Sequence, residues 1–319
     1  VRFRNDPRTL RGSIVPLVTP FTETGDLDVE GLRKLTSWQI AAGSHGISIG
    51  GSTGEPSAQD SGERGDAIRA VATEVADRVP FMPGTGSARL DDTLELTGLA
   101  YDAGADAVLI VTPYYAKPTQ RGLFQWYSEV ARSFPDLPIA IYNVPARSAV
   151  DIAPETVADL FLAFDNVVGI KETTKDFEKL SRLITAAGPE LLVWSGIELL
   201  GLPLLALGGI GMISAVANIA PTVVAALFDA FDSGDVARAR ALHYRLHPLV
   251  DLLFVETNPA PAKWVLHQWG LLGSEMVRSP LVALSSRSRA RIAELLDEAQ
   301  EVTDANPCRT RPDEHDPRA

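Results

Sequence analysis

The chain has 319 residues, 45% of them hydrophobic, and a formal net charge of −12. That length can bury a large core, either as one α/β barrel or as two smaller domains. The negative charge excludes a nucleic-acid footprint, because a polyanion is repelled over most of such a surface, and leaves small molecules or other subunits as the expected partners.

In chain order, residues 1–11 carry Arg2, Arg4, Asp6, Arg8 and Arg11, which interrupt any signal-peptide core. Short β-branched runs then alternate with amphipathic stretches. The pattern predicts strand 13–20, helix 29–42, strand 46–51, helix 61–79, strand 80–85, helix 89–103, strand 107–113 and helix 120–133. It continues with strand 139–145, helix 154–163, strand 167–173, helix 177–187, strand 191–196, helix 198–207, strand 211–216 and helix 221–233. Eight β/α units imply an α/β fold, a closed (β/α)8 TIM barrel over residues 12–233. Helical patterns at 235–255, 259–270 and 287–301 predict a C-terminal helical extension over 234–302. Residues 1–11 and 303–319 read as tails, disordered or packed only on neighbours.

The main rival architecture, an open doubly wound sheet, carries a Gly-rich phosphate loop after its first strand. Here that strand ends in Val18-Thr19-Pro20-Phe21, and the nearest glycine pair, Gly84-Thr85-Gly86, is followed by Arg89 where a third glycine is needed. The apolar stretch from Leu199 to Ile213 is broken by Pro203 and several glycines, short of the roughly 20 residues of a membrane span. A soluble, cytoplasmic protein without membrane partners is expected. Cys308 is the one cysteine and lies in the C-terminal tail, without a second thiol for a disulfide or a metal. His243 and His247 stand four apart, but no Glu follows the first, so they read as helix-surface histidines and no metal is expected.

In such a barrel the chemistry gathers where strands end. The polar residues there are Thr19, Gly51-Ser52-Thr53-Gly54-Glu55, Thr112-Pro113-Tyr114-Tyr115, Tyr142-Asn143, Lys171-Glu172-Thr173 and Ser195-Gly196. Of six lysines, only Lys171 directly follows an apolar run, Val167-Val168-Gly169-Ile170, that places it in the barrel mouth. Burial favours a neutral, nucleophilic amine there, although a structural lysine paired with a carboxylate such as Glu172 fits the same pattern. Tyr142 can exchange a proton with a substrate or serve as a core aromatic with a capped hydroxyl. The Gly51–Gly54 turn can aim amides and hydroxyls at an anion, as can many loops.

Together these segments resemble the dihydrodipicolinate synthase and N-acetylneuraminate lyase family, from about Gly12 to beyond Lys263. The matching pieces are residues 12–21, Gly51-Ser52-Thr53-Gly54-Glu55, Pro113-Tyr114-Tyr115 with Lys117-Pro118, Tyr142-Asn143-Val144-Pro145, Ile170-Lys171-Glu172, and Asn258-Pro259 with Lys263. The resemblance implies a homotetrameric class I lyase that uses no cofactor, in which Lys171 forms a Schiff base with pyruvate or another 2-oxo acid. It implies Tyr142 as proton shuttle, Ser52 or Thr53 as relay and carboxylate binder, and Tyr115 reaching into a neighbouring subunit's site. Gly196 and Ile213 match positions whose backbone lines the pocket.

Arg147 matches the arginine that grips the carboxylate of the incoming aldehyde in synthase members, so a carboxylated aldehyde is expected. Ser148-Ala149 and Ser195-Gly196-Ile197-Glu198 depart from the usual synthase pattern, and Ile197 removes a polar group from the pocket rim. Ser61, Arg64 and Ala88 stand where regulated members bind lysine, so lysine inhibition is not expected. The stretches 50–56, 195–198 and 256–259 resemble a catabolic branch that cleaves 2,4-dihydroxyhept-2-ene-1,7-dioate to pyruvate and succinic semialdehyde. That aldolase activity is ranked first. Condensation of pyruvate with aspartate semialdehyde by a dihydrodipicolinate synthase comes second, and a non-catalytic barrel that binds a 2-oxo acid third.

Overall fold

A computed structural model describes residues 3–299. Seven parallel strands form one curled sheet, β1 (Gly12–Pro16), β2 (Gly46–Ser48), β3 (Val108–Val111), β4 (Ile139–Asn143), β5 (Val167–Glu172), β6 (Leu192–Ser195) and β7 (Gly211–Ile213). Their order is β2-β1-β7-β6-β5-β4-β3, so the first strand lies beside the last.

The predicted strand at 80–85 is the one that does not form a regular strand. It runs between the two edges of the sheet and bonds to both. On one side Ile47 N donates to Pro80 O at 2.9 Å and Met82 N to Ile47 O at 2.9 Å. On the other, Leu109 N donates to Pro83 O at 2.9 Å and Thr85 N to Leu109 O at 3.1 Å. Pro80 and Pro83 have no N–H to add to a ladder, which reduces the pairing to isolated bridges at Phe81 and Gly84. In the observed order Lys171 therefore belongs to β5 rather than to a sixth strand.

Eight helices follow the strand positions: Val29–Ala41, Ser61–Val75, Leu90–Asp102, Gln120–Ser133, Pro154–Ala163, Phe177–Ala187, Gly201–Ala206 and Pro221–Asp232. Their starts are chemically marked. Asp60 and Glu63 form a reciprocal capping box, and the Asp176 carboxylate accepts from the amides of Glu178 and Lys179. Beyond them lie helices Val236–Arg245, His247–Leu253, Ala260–Gln268 and Ser286–Glu298. The predicted helix at 235–255 is split at Leu246, because Pro248 cannot continue a hydrogen-bonded turn and starts a new helix instead.

The core has two layers, set by the alternation of side chains along each strand. On β4, Ile139 and Ile141 point outward to the helices, while Ala140 and Tyr142 point inward. On β5, Ile170 faces outward, so the next residue, Lys171, faces the interior. Residues 3–11, read from sequence as a tail, are held against this body. Leu10 is buried in the inner cluster, and its carbonyl accepts the Trp194 indole N–H at 2.6 Å. Residues 300–319, with Cys308 and the 303–319 tail, lie outside the described residues.

Candidate active site

Strand register brings the two central residues together: Tyr142 of β4 pairs with Lys171 of β5. Lys171 is 5% exposed, and its Nζ stands 4.2 Å from the centroid of the Tyr142 ring. Among the described residues no carboxylate pairs with Lys171. Glu172, the partner weighed from sequence, points the other way and is taken up by a network on the outer face. Its Oε2 lies 3.2 Å from Lys179 Nζ, and its Oε1 accepts from the amides of Thr173 and Thr174, both at 2.8 Å. Asn143 Nδ2 donates to both Glu172 oxygens at 3.0 and 2.9 Å, and to Asp151 at 2.8 Å. This network ties the end of β4 to the end of β5 directly behind the reactive pair.

Gly196, at the end of β6, makes room for the lysine. A Cβ there would lie 2.7 Å from Lys171 Cε and 2.4 Å from Thr173 Cγ2. The turn after β2 is set by another close approach: Gly50, at φ +76°, faces Gly84 so tightly that a Cβ would come 2.6 Å from the Gly84 carbonyl oxygen. The turn then presents Ser52, whose Oγ is 3.3 Å from the Tyr142 hydroxyl, and Thr53, whose Oγ1 accepts from Asn258 Nδ2 at 3.0 Å. Thr19 holds the turn from below by donating to the Gly54 carbonyl at 2.7 Å.

These groups open on one cavity of about 190 Å³, lined by Ser52, Thr53, Tyr142, Arg147, Lys171, Gly196 and Ile213 among others. Seven of the eight residues singled out from sequence meet there. Arg147 stands on the short helix Pro145–Ser148 at the mouth, exposed and without a carboxylate partner among the described residues. A second cavity of about 210 Å³ shares Ser52, Tyr142 and Arg147 and extends to Tyr114 and Arg64. Arg64 donates to the carbonyls of Gly84 and Gly86, and burial pulls its guanidinium down to about 10. The eighth residue, Tyr115, lines neither cavity. It is 93% exposed and sits at φ +73°, an unfavourable conformation for a tyrosine and one that carries its ring away from its own site.

Three of the cavity residues that were not assigned a role from sequence bear on its chemistry. Asn258 comes from the C-terminal extension, far from any strand end, and only its place beside Pro259 in a matching segment marks it. Phe254 comes from the same extension and stands half-exposed at the cavity. Glu198 is 7% exposed, and its Oε1 accepts from Ala215 N at 3.0 Å and Ser214 Oγ at 3.3 Å. Burial holds this carboxyl above its usual 4.5, against the pull of those hydrogen bonds and of the Lys171 charge.

The turn is also braced from behind. Glu55, in the left-handed region, accepts from the fully buried Lys263 Nζ at 2.6 Å and from Arg278 N at 2.9 Å. Lys263 also donates to the Met276 carbonyl at 2.6 Å and lies 4.1 Å from the Phe21 ring centroid. Burial brings Lys263 down to about 8 although Glu55 pushes it up. Among the described residues there is no cluster of His, Cys, Asp and Glu suited to a metal, and no helix is long and apolar enough to cross a membrane.

Known proteins resemble this chain in sequence and fold. The dihydrodipicolinate synthetase family matches residues 9–299. The 4-hydroxy-tetrahydrodipicolinate synthase of Thermus thermophilus is 49% identical over 271 residues, covering 85% of this chain and 90% of that protein. The crystal structure of dihydrodipicolinate synthase from Aquifex aeolicus superimposes with a TM-score of 0.88 at 37% identity, covering 91% of this chain and 98% of that one. The chloride-inhibited synthase from Acinetobacter baumannii, solved with pyruvate, gives a TM-score of 0.87 at 38% identity over 91% of this chain and 99% of that one. These relatives fit the synthase activity, ranked second from sequence, better than the heptenedioate aldolase ranked first. The chain belongs to the dihydrodipicolinate synthetase family and is an enzyme, a lyase of the pyruvate-dependent class I aldolase type.

Proposed function

We propose that the chain is a 4-hydroxy-tetrahydrodipicolinate synthase that joins pyruvate to aspartate semialdehyde, acting as a cytoplasmic homotetramer without a cofactor. The observation that carries the chemistry is the buried, carboxylate-free Lys171 over Tyr142, whose hydroxyl reaches Ser52 in the same cavity. The Lys171 amine attacks C2 of pyruvate, and the C2 oxygen leaves as water to give an imine. Tyr142, with Ser52 as relay, supplies and removes the protons of these steps. Thr53 and the turn amides bind the pyruvate carboxylate. Loss of a C3 proton turns the imine into an enamine, whose C3 attacks the aldehyde carbon. Arg147 holds the aldehyde's carboxylate at the cavity mouth.

The fold reading that goes with this function is a (β/α)8 barrel in which residues 80–85 supply the eighth, irregular position. Backbone bonds from that stretch to both sheet edges support it. The exposed, left-handed Tyr115 supports an assembly in which this tyrosine completes the proton relay of an adjacent subunit.

Ile197 at the rim and Arg147 at the mouth keep the heptenedioate aldolase as a second reading, since its aldehyde, succinic semialdehyde, carries a carboxylate and no amine. The test is a rate comparison with pyruvate and either aspartate semialdehyde or succinic semialdehyde, with borohydride trapping of the pyruvate imine. Preference for aspartate semialdehyde and a reduced adduct on Lys171 are expected. Preference for succinic semialdehyde reverses the assignment, and an adduct on another lysine removes the proposed chemistry.

A further inference from the structure

The reactive pair is held from behind rather than from the cavity. Among the described residues Lys171 makes no salt bridge, and the hydroxyl of Tyr142 meets Ser52 Oγ at a loose 3.3 Å. The next residues along the two strands, Asn143 and Glu172, are paired in the same register and face outward. Glu172 is fixed on three sides. Its Oε1 accepts from the amides of Thr173 and Thr174, both its oxygens accept from Asn143 Nδ2, and its carbonyl accepts from Gly196 N at 2.8 Å.

These bonds crowd two carboxylates around one amide, because Asn143 Nδ2 also donates to Asp151 Oδ1 at 2.8 Å. Among the described residues, Lys179 is the one cation that forms a salt bridge with either carboxylate, and it bridges both. Its side chain is buried, and its backbone N donates to the Asp176 cap at 3.1 Å. The fixed start of helix Phe177–Ala187 therefore carries a positive charge to the strand ends. The Glu172 side chain is 1% exposed and cannot turn to water, whereas that of Asp151 is half-exposed and can. Without Lys179, repulsion drives Asp151 outward and away from Asn143, and Glu172 is left as a buried charge without a counter-ion. The strand ends that carry Tyr142 and Lys171 then shift, and a misplacement of about 1 Å costs on the order of 10²-fold in rate.

We propose that Lys179 is a positioning residue for imine formation: by neutralising Glu172 and Asp151 from the outer face, it holds the Lys171 amine and the Tyr142 hydroxyl in reacting register. This rests on the imine chemistry read above for Lys171 and is independent of which aldehyde follows.

The experiment mixes the full chain with pyruvate alone and quenches with borohydride at increasing times. The adduct on Lys171 is measured in the wild type, Lys179→Met, Lys179→Gln and Lys179→Arg, each shown by circular dichroism to be folded at the assay temperature. In Lys179→Met the rate of adduct formation at saturating pyruvate is expected to fall roughly 10- to 100-fold. The pyruvate concentration giving half that rate stays within about threefold, since Thr53 and the turn amides lie outside the network. Lys179→Gln, which keeps a donor but no charge, changes in the same direction and serves where Lys179→Met does not fold. Lys179→Arg keeps the charge and has space in the open cavity of about 460 Å³ beside Asp151 and Lys179, so its rate returns to within about threefold of wild type. Folded Lys179→Met and Lys179→Gln proteins with the wild-type rate assign Lys179 to stability alone and overturn the inference, as does a loss that arginine fails to recover. A change in half-saturation with an unchanged rate overturns it as well. A wild-type protein that gives no adduct on Lys171 instead marks the failure of the imine reading, before any variant is compared.

Discussion

Of the three lysines buried among the described residues, Lys263 and Lys171 are treated in opposite ways. Lys263, fully buried, is closed in by Glu55, the Met276 carbonyl and the face of Phe21. Lys171, nearly as buried, has the face of Tyr142 beside its amine and, among the described residues, no salt bridge. Burial alone therefore does not mark the reactive amine. What separates the two is the counter-charge and the opening: Lys263 is locked to a carboxylate as a fastening, whereas Lys171 has no salt bridge among the described residues and lines the cavity where a substrate carbonyl can reach its amine.

Substituting each lysine by methionine tests that contrast. Lys171→Met should lower kcat by roughly 10⁴-fold or more, the scale seen when a nucleophile is removed, and abolish the borohydride adduct while leaving urea unfolding little changed. Lys263→Met should do the reverse, costing about 3–5 kcal/mol of stability because it strands the Glu55 carboxylate. Combining it with Glu55→Gln should recover most of that loss at the same protein concentration. Comparable destabilisation by both methionine variants would erase the distinction.

Gly196→Ala sharpens the contrast from the side of space. Its methyl group would meet Lys171 Cε at 2.7 Å, so the reactive chain must move, and kcat should fall roughly 10²-fold with the fold intact. An unchanged rate would mean that Lys171 has slack the structure does not suggest. The smallest effect concerns Glu198. Its folded-state carboxyl is raised above 4.5, so in the window above 4.5 the native state holds more protons than the unfolded chain. Its contribution is full below 4.5 and is lost as pH rises through the folded value. Glu198→Gln should remove that decline from a plot of unfolding free energy against pH, and a plot that keeps its slope would assign the decline to other groups.

Much of this was legible because strand periodicity is a strong signal. The run Val167–Ile170 places Lys171 at a strand end, and the spacing to Tyr142 puts the two on adjacent strands. The stretch 80–85 was read as a strand because it is a short run between two amphipathic stretches, but two prolines without N–H groups leave only bridges. Glu172 was a plausible partner for Lys171 only in one dimension, since adjacent strand residues face opposite sides. Glu198 and Asn258 could not be placed from local pattern. One sits past a strand end beside a residue of opposite character, and the other reaches the cavity across about two hundred positions of chain, through its 3.0 Å bond to Thr53.

The network behind the reactive pair bears on how such a site can change over time. Asn143, Glu172, Lys179 and Asp151 fasten β4 to β5 on the face turned away from the substrate. Arg147, Ile197 and Phe254 reach the cavity from segments outside the strands. Imine formation and choice of aldehyde thus rest on separate supports. A lineage can exchange the second without disturbing the first, and a protein engineer seeking a new aldehyde acceptor should work at those segments and leave the strand ends untouched.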